Sequence, residues 1–204
     1  LIARAVGCTV GLVLGHMALE IRLLGRVDLL IEGRAVPLGW RKQRAVLAML
    51  ALRANQTVSV DDLIDGLWGD RPPASAAKNV QYYVSQLRKE LASDDSGAGI
   101  VTRGRGYELQ LPADAVDAAR FERLVDRARA EAEQGIVDGA VRGALELWHG
   151  APLADVASEP FAGAEIGRLE ELRLRAIELS IDAELAAGRH ADVLGSLKAL
   201  IAEH

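Results

Sequence analysis

An α+β unit followed by an all-α unit is the fold class this sequence predicts. Three β-like runs open the chain after Met17. Three helical stretches and a Gly/Arg-punctuated hairpin follow, up to Pro112. From Ala113 onward only helical periodicity remains.

Leu19 to Leu23 alternates polar and apolar residues, Val27 to Ile31 is an apolar run, and Glu32-Gly33 is a turn signal between it and a third short run, Ala35 to Leu38. This predicts a small antiparallel sheet. Lys42 to Arg53 has apolar residues at helical spacing. Ser59 with Asp62 three residues later reads as a helix start, opening a short helix through Leu63, Ile64, Leu67 and Trp68. Pro72-Pro73 interrupts the chain, and Ser75 is the expected N-cap of the next helix. Two β-like runs, Ile100 to Thr102 and Tyr107 to Leu111, flank Arg103-Gly104-Arg105-Gly106. A sheet, three helices and a β-ribbon beside the last helix make the layout of a winged helix-turn-helix.

Beyond Pro112 the expected helices are Asp117 to Gln134, Val137 to Trp148, Pro160 to Ala187 and Ala191 to Glu203. Short connections such as Gly188-Arg189-His190 force antiparallel neighbours, which gives a tetratricopeptide-like series without a clean internal repeat. The division is therefore a winged helix over 17–112 and a helical unit over 113–204. The last helix has no partner after it, so the chain reads as cut from something longer. Residues 1–16 are small and apolar with a single charge, Arg4. They read as an extension ahead of a natural start at Met17. A packed leading element and a targeting segment are the alternatives, and the run is shorter than the roughly 20 residues a membrane span needs.

Charge follows the same division. Residues 17–112 carry 13 Lys/Arg against 11 Asp/Glu, a net of +2, whereas 113–204 carry 10 against 18, a net of -8. The whole-chain value of -5 conceals a basic unit. The single cysteine, Cys8, excludes an internal disulfide and a cysteine-based zinc site, and fits a cytoplasmic setting.

The stretch NVQYYVSQLRKEL, residues 79–91, carries the functional signal. On a helical wheel Val80, Val84, Leu87 and Leu91 fall within about 60° of one another, one buried stripe. Opposite lie Lys78, Tyr82, Ser85 and Lys89, flanked by Gln86 and Arg88, and the one acid, Glu90, is off centre. A solvated face ordinarily mixes acids with bases. This one presents donors and acceptors suited to base edges and phosphates, although a generic amphipathic helix would share the apolar stripe. Arg103 and Arg105 on the hairpin sit where a wing meets the minor groove or backbone. Arg41, Lys42 and Arg44, at the start of the first helix, are candidate phosphate contacts.

Together with RFERLVDRARA and ALELWHGAPLADV downstream, NVQYYVSQLRKEL and TRGRGYELQL resemble the Streptomyces antibiotic regulatory protein family. That family joins an OmpR-type winged helix to a bacterial transcriptional activator domain. The resemblance implies a cytoplasmic activator of secondary-metabolite genes that binds direct repeats in double-stranded DNA and engages RNA polymerase. By position it places DNA-reading residues at Tyr82, Gln86 and Arg88. OmpR-type helices often carry a basic residue where Gln86 stands, so a base hydrogen bond is expected there instead of a phosphate contact. No receiver-like sequence precedes the winged helix, so control by phosphorylation of a receiver is not expected.

The four histidines have no metal-ligand partner at helical spacing, and no nucleophile-elbow, P-loop or zinc-protease motif occurs. Neither an enzyme, a metal nor a cofactor is expected. Trp148 with Pro152 and Leu153 reads as a packing corner, and Trp40 and Trp68 as cover for the small core. The acidic helical half is expected to bind a partner or to self-associate as a homodimer. The reading from another class is an interaction scaffold whose winged helix binds protein instead of DNA.

Overall fold

The computed structural model describes residues 19–92, 97–133, 140–189 and 193. The expected extension over 1–16 lies outside the described residues, as does all but Val193 of the last expected helix. The chain opens with β1 (Leu19–Arg22), β2 (Asp28–Ile31) and β3 (Arg34–Val36). They form an antiparallel sheet in that order, with Leu19 opposite Ile31 and Leu29 opposite Val36. Glu32 and Gly33 both take left-handed φ, 49° and 76°, which matches the tight turn that a twisted two-residue hairpin needs.

Helices α1 (Arg41–Leu52), α2 (Val60–Trp68) and α3 (Ala76–Leu91) follow, with α1 at the centre and buried along most of its length. The Ser59 hydroxyl accepts from the Asp62 amide at 2.9 Å, as the cap signal required. Ser75 is the N-cap of α3 as expected, although its side chain accepts from no helix amide there. Trp40 needs correction: it is 74% exposed, while Trp68 is half-buried.

The wing is β5 (Gly99–Arg103) and β6 (Gly106–Gln110) joined at Gly104-Arg105. A strand not expected from sequence, β4 (Thr57–Ser59), pairs with β6 and puts β6 in the middle of the order β4-β6-β5. Three residues that run straight into a helix leave no periodicity to detect. The pairing makes Gly106 necessary. A Cβ there would meet the Val58 carbonyl oxygen at 2.4 Å. Gly104 instead supplies the turn, with φ at 55°. Asn55, between α1 and β4, closes the other end, its amide group exchanging two 3.0 Å hydrogen bonds with the Leu111 backbone.

The helical half holds α4 (Asp117–Glu133), α5 (Ala140–Leu145) and α6 (Ala162–Ala186), close to the expected spans. Trp148 is a packing corner, meeting Phe121 edge-on at 5.5 Å with Arg173 over its ring. Among the described residues no helix is long and apolar enough to cross a membrane.

The two halves share one hydrophobic core. Leu23 and Leu24, in the β1–β2 connection, are fully buried, each worth about 1.5–3 kcal/mol as apolar surface removed from water. Their backbone groups are satisfied from the helical half: Leu24 and Leu23 carbonyls accept from His149 and Leu153, at 2.7 and 2.9 Å. Their amides donate to the two oxygens of Asp117, at 3.0 and 2.8 Å. Ile21 donates to Ala115 at 2.7 Å, so β1 is tied to the very start of the helical half.

Asp117 is 1% exposed, and burial pushes its carboxyl up to about 6, against the pull of its three backbone hydrogen bonds. A raised acid favours the folded state when protonated. The resulting stabilisation is fully present below the ordinary value of 3.8 and is lost as pH rises through about 6. Comparing urea-unfolding free energies of the native chain and Asp117→Asn from pH 4 to 7 should show the difference shifting by on the order of 2–3 kcal/mol. A flat difference would mean that Asp117 ionises like an exposed acid.

Candidate nucleic-acid interface

Helix α3 buries Ala76, Val80, Val84, Leu87 and Leu91 against the core and turns its opposite face outward. Lys78, Gln81, Tyr82, Ser85 and Lys89 are exposed and Gln86 is half-buried. Tyr82 is 53% exposed, an unusual position for so large a ring, and meets Tyr83 edge-on at 5.9 Å. Tyr83 lies partly in the core, and its hydroxyl is held above the usual range, first by burial and then by the negative Glu159 and by Tyr82. Lys78 and Lys89 carry no ion pair to any described residue, so both charges are open to solvent.

The wing stands beside this face, and its two arginines differ. Arg105 is on the turn, exposed, with only its carbonyl engaged, by the Val60 amide at 3.0 Å. Arg103 ends β5 and reaches Glu108 across the hairpin at 3.3 Å. The Glu108 carboxyl is lowered below the ordinary range, by its Gln110 hydrogen bond first and by Arg103 after, so the pair stays charged at neutral pH. Arg88 points from α3 to the wing. Its Nε donates to the Ile100 carbonyl and its Nη2 to the Thr102 hydroxyl, both at 2.8 Å.

The α1 cations are engaged differently from the phosphate contact expected of them. Glu159, from the segment before α6, is 3% exposed and lies 2.9 Å from Arg41 Nε and 2.6 Å from Lys42 Nζ. Lys42 also donates to the Leu67 carbonyl and lies over the Trp68 ring. Arg44 Nε is 2.6 Å from Asp155, whose other oxygen accepts from the Val27 amide. A charge taken from water needs a partner: Lys42 and Arg44 find theirs in the helical half, and the buried Glu159 finds Lys42 and the more exposed Arg41. The sequence shows these acids only as members of a negative segment more than a hundred residues away.

These elements define a winged-helix regulator with an acid-free outer helix face, an arginine-tipped wing and a helical unit locked behind it. Residues 34–109 match the model for the C-terminal domain of transcriptional regulatory proteins, and residues 116–204 match the bacterial transcriptional activator domain. The chain is 38% identical over 196 residues to the regulatory protein DnrI of Streptomyces peucetius, covering 91% of this chain and 72% of that protein. It is 39% identical over 199 residues to EmbR of Mycobacterium tuberculosis, covering 91% of this chain but 49% of the relative. Against AfsR of Streptomyces coelicolor it is 38% identical over 191 residues, which is 92% of this chain and 19% of that protein. The solved structure of M. tuberculosis EmbR in complex with a low-affinity phosphopeptide superposes with a TM-score of 0.85 at 36% identity, over 92% of this chain and 51% of that one. The chain belongs to the Streptomyces antibiotic regulatory protein family of transcriptional regulators. Its relatives are regulators, not enzymes.

Glu159→Ala would leave Lys42 half-buried without its carboxylate. It is expected to lower the unfolding free energy by about 2–4 kcal/mol, and a second change, Lys42→Met, to recover part of that loss. Chemical denaturation of the single and double variants measures both; equal stability of Glu159→Ala and the native chain would show that the contact holds nothing together.

Proposed function

We propose that this chain is a sequence-specific DNA-binding transcriptional activator of a secondary-metabolite gene cluster. The observation that carries the proposal is the outer face of α3, where exposed Lys78, Tyr82, Ser85 and Lys89, with Gln86 at the edge, form a surface without an acid. In this reading α3 lies in the major groove of double-stranded DNA. Tyr82 and Gln86 meet base edges there, and Ser85, Lys78 and Lys89 meet base edges or phosphates at its margins. Arg105, with Arg103 behind it, meets the backbone or minor groove alongside. Arg41, whose side chain is 55% exposed, can still offer donors to a phosphate, whereas Lys42 and Arg44 serve the contact with the helical half.

The unit from about residue 113 would engage RNA polymerase or a second copy. A dimer would put two winged helices on direct repeats, since half-site spacing follows the geometry of the assembly. The match of residues 116–204 to the bacterial transcriptional activator domain, with the similarity to the regulatory protein DnrI, supports the activator reading.

Anisotropy titrations of the full chain, with operator selected from a random duplex library and with random-sequence duplex, test this. Tyr82→Ala should weaken selected-site binding by about tenfold while leaving random-sequence binding within about twofold. Lys89→Ala should weaken both alike and reduce the salt slope by about 0.9. No salt-dependent binding to any duplex would overturn the DNA reading.

A further inference from the structure

Strand β5 lies at the edge of its sheet: β6 pairs with one side, and the other side faces α3. An edge strand held only by its hairpin partner is poorly fixed in direction, because nothing satisfies or restrains its second row of backbone groups. Arg88 supplies the missing restraint. Its guanidinium reaches the Ile100 carbonyl and the Thr102 hydroxyl, which belong to residues two apart along the strand. A planar fork can bridge two such acceptors at once, which the point charge of lysine cannot do. The Arg88 guanidinium carbon also lies 5.8 Å from the centre of the buried Tyr107 ring on β6, adding a contact to the central strand.

On the other flank the wing is held by α2. The Val60 amide donates to the Arg105 carbonyl, and Gly106 lets β4 close against β6. The tip carrying Arg105 is thus suspended between two helices, and Arg88 is the link to the one that carries the reading face. We infer that Arg88 is the positioning residue of the wing: it sets the direction in which Arg105 points relative to α3, and acts on DNA through Arg105 instead of reading a base itself. This rests on the DNA-binding reading above.

The distinguishing measurement is a double-mutant cycle on the full chain with random-sequence duplex. Arg88→Ala and Arg105→Ala should each weaken binding about tenfold, and the double variant by little more than either. The salt slope should fall by about 0.9 in each single variant and no further in the double. Arg88→Lys keeps the charge but not the fork and should behave like Arg88→Ala. Thr102→Val removes one acceptor and no charge. It should weaken binding a few-fold, with no added effect once Arg88 is gone. Losses that multiply towards a hundredfold, with a second fall in slope and full activity of Arg88→Lys, would make Arg88 a direct contact and overturn the inference.

A readout without DNA separates this inference from the reading it rests on. Amide hydrogen exchange in the hairpin, residues 100–108, should quicken in Arg88→Ala and Thr102→Val while α1 amides stay protected. If the native chain binds no duplex, the DNA reading fails and exchange alone decides; hairpin exchange unchanged from native in both variants would overturn the positioning role.

Discussion

The whole structure depends on where three carboxylates of the helical half are placed. Asp117, Asp155 and Glu159 all point into the winged helix, and each meets backbone amides or cations that would otherwise be stranded away from water. Asp117 closes the β1–β2 connection, Asp155 holds its far end and Arg44, and Glu159 gathers Arg41 and Lys42. Removing a buried charge's partner leaves an uncompensated charge, so each contact is specific in a way that apolar packing between halves is not. Apolar residues from both sides then complete one core.

Such a junction makes the boundary near Pro112 a boundary in sequence more than in space. The N-terminal sheet is tied by backbone hydrogen bonds to Ala115, His149 and Leu153, all beyond that proline. Helix α2 accepts from the Phe161 amide at its Gly66 carbonyl, 3.2 Å away, and Tyr83 on α3 is near enough to Glu159 to sense its charge. Contacts of the helical half therefore reach α2 directly, and its charge reaches α3.

Local pattern was enough to expose much of this in sequence. The stripe Val80, Val84, Leu87 and Leu91 declares its buried side by spacing alone, and Ser59 with Asp62 declares a helix start. Arg103 to Gly106 declares a tight turn, because glycine at φ 55° and at a close strand crossing leaves few alternatives. What sequence hid is every feature set by distant partners. β4 exists because β6 lies beside it, some fifty residues on. The α1 cations looked free because the acid that takes Lys42 is 117 residues away. Arg88 looked like one more outward donor, since nothing in a helical wheel shows an edge strand standing next to it. Trp40 looked like cover for the small core, yet it stands at the N-cap of α1 with its side chain exposed.

The same placement explains how a chain of net charge -5 can keep a face without exposed acids. Acids of the helical half are partly consumed inward by the junction, and others pair along their own helices, as Glu133 does with Arg129 and Glu171 with Arg175. At physiological salt, charges farther than about 8 Å are largely screened, so the distant remainder contributes little field at α3. Lys78, Lys89 and Arg105 are exposed on that side, none paired with a described residue. Net charge is thus the wrong measure for this surface. The local balance on one helix face and one hairpin turn is what matters, and there Lys78, Lys89 and Arg105 have no carboxylate partner among the described residues.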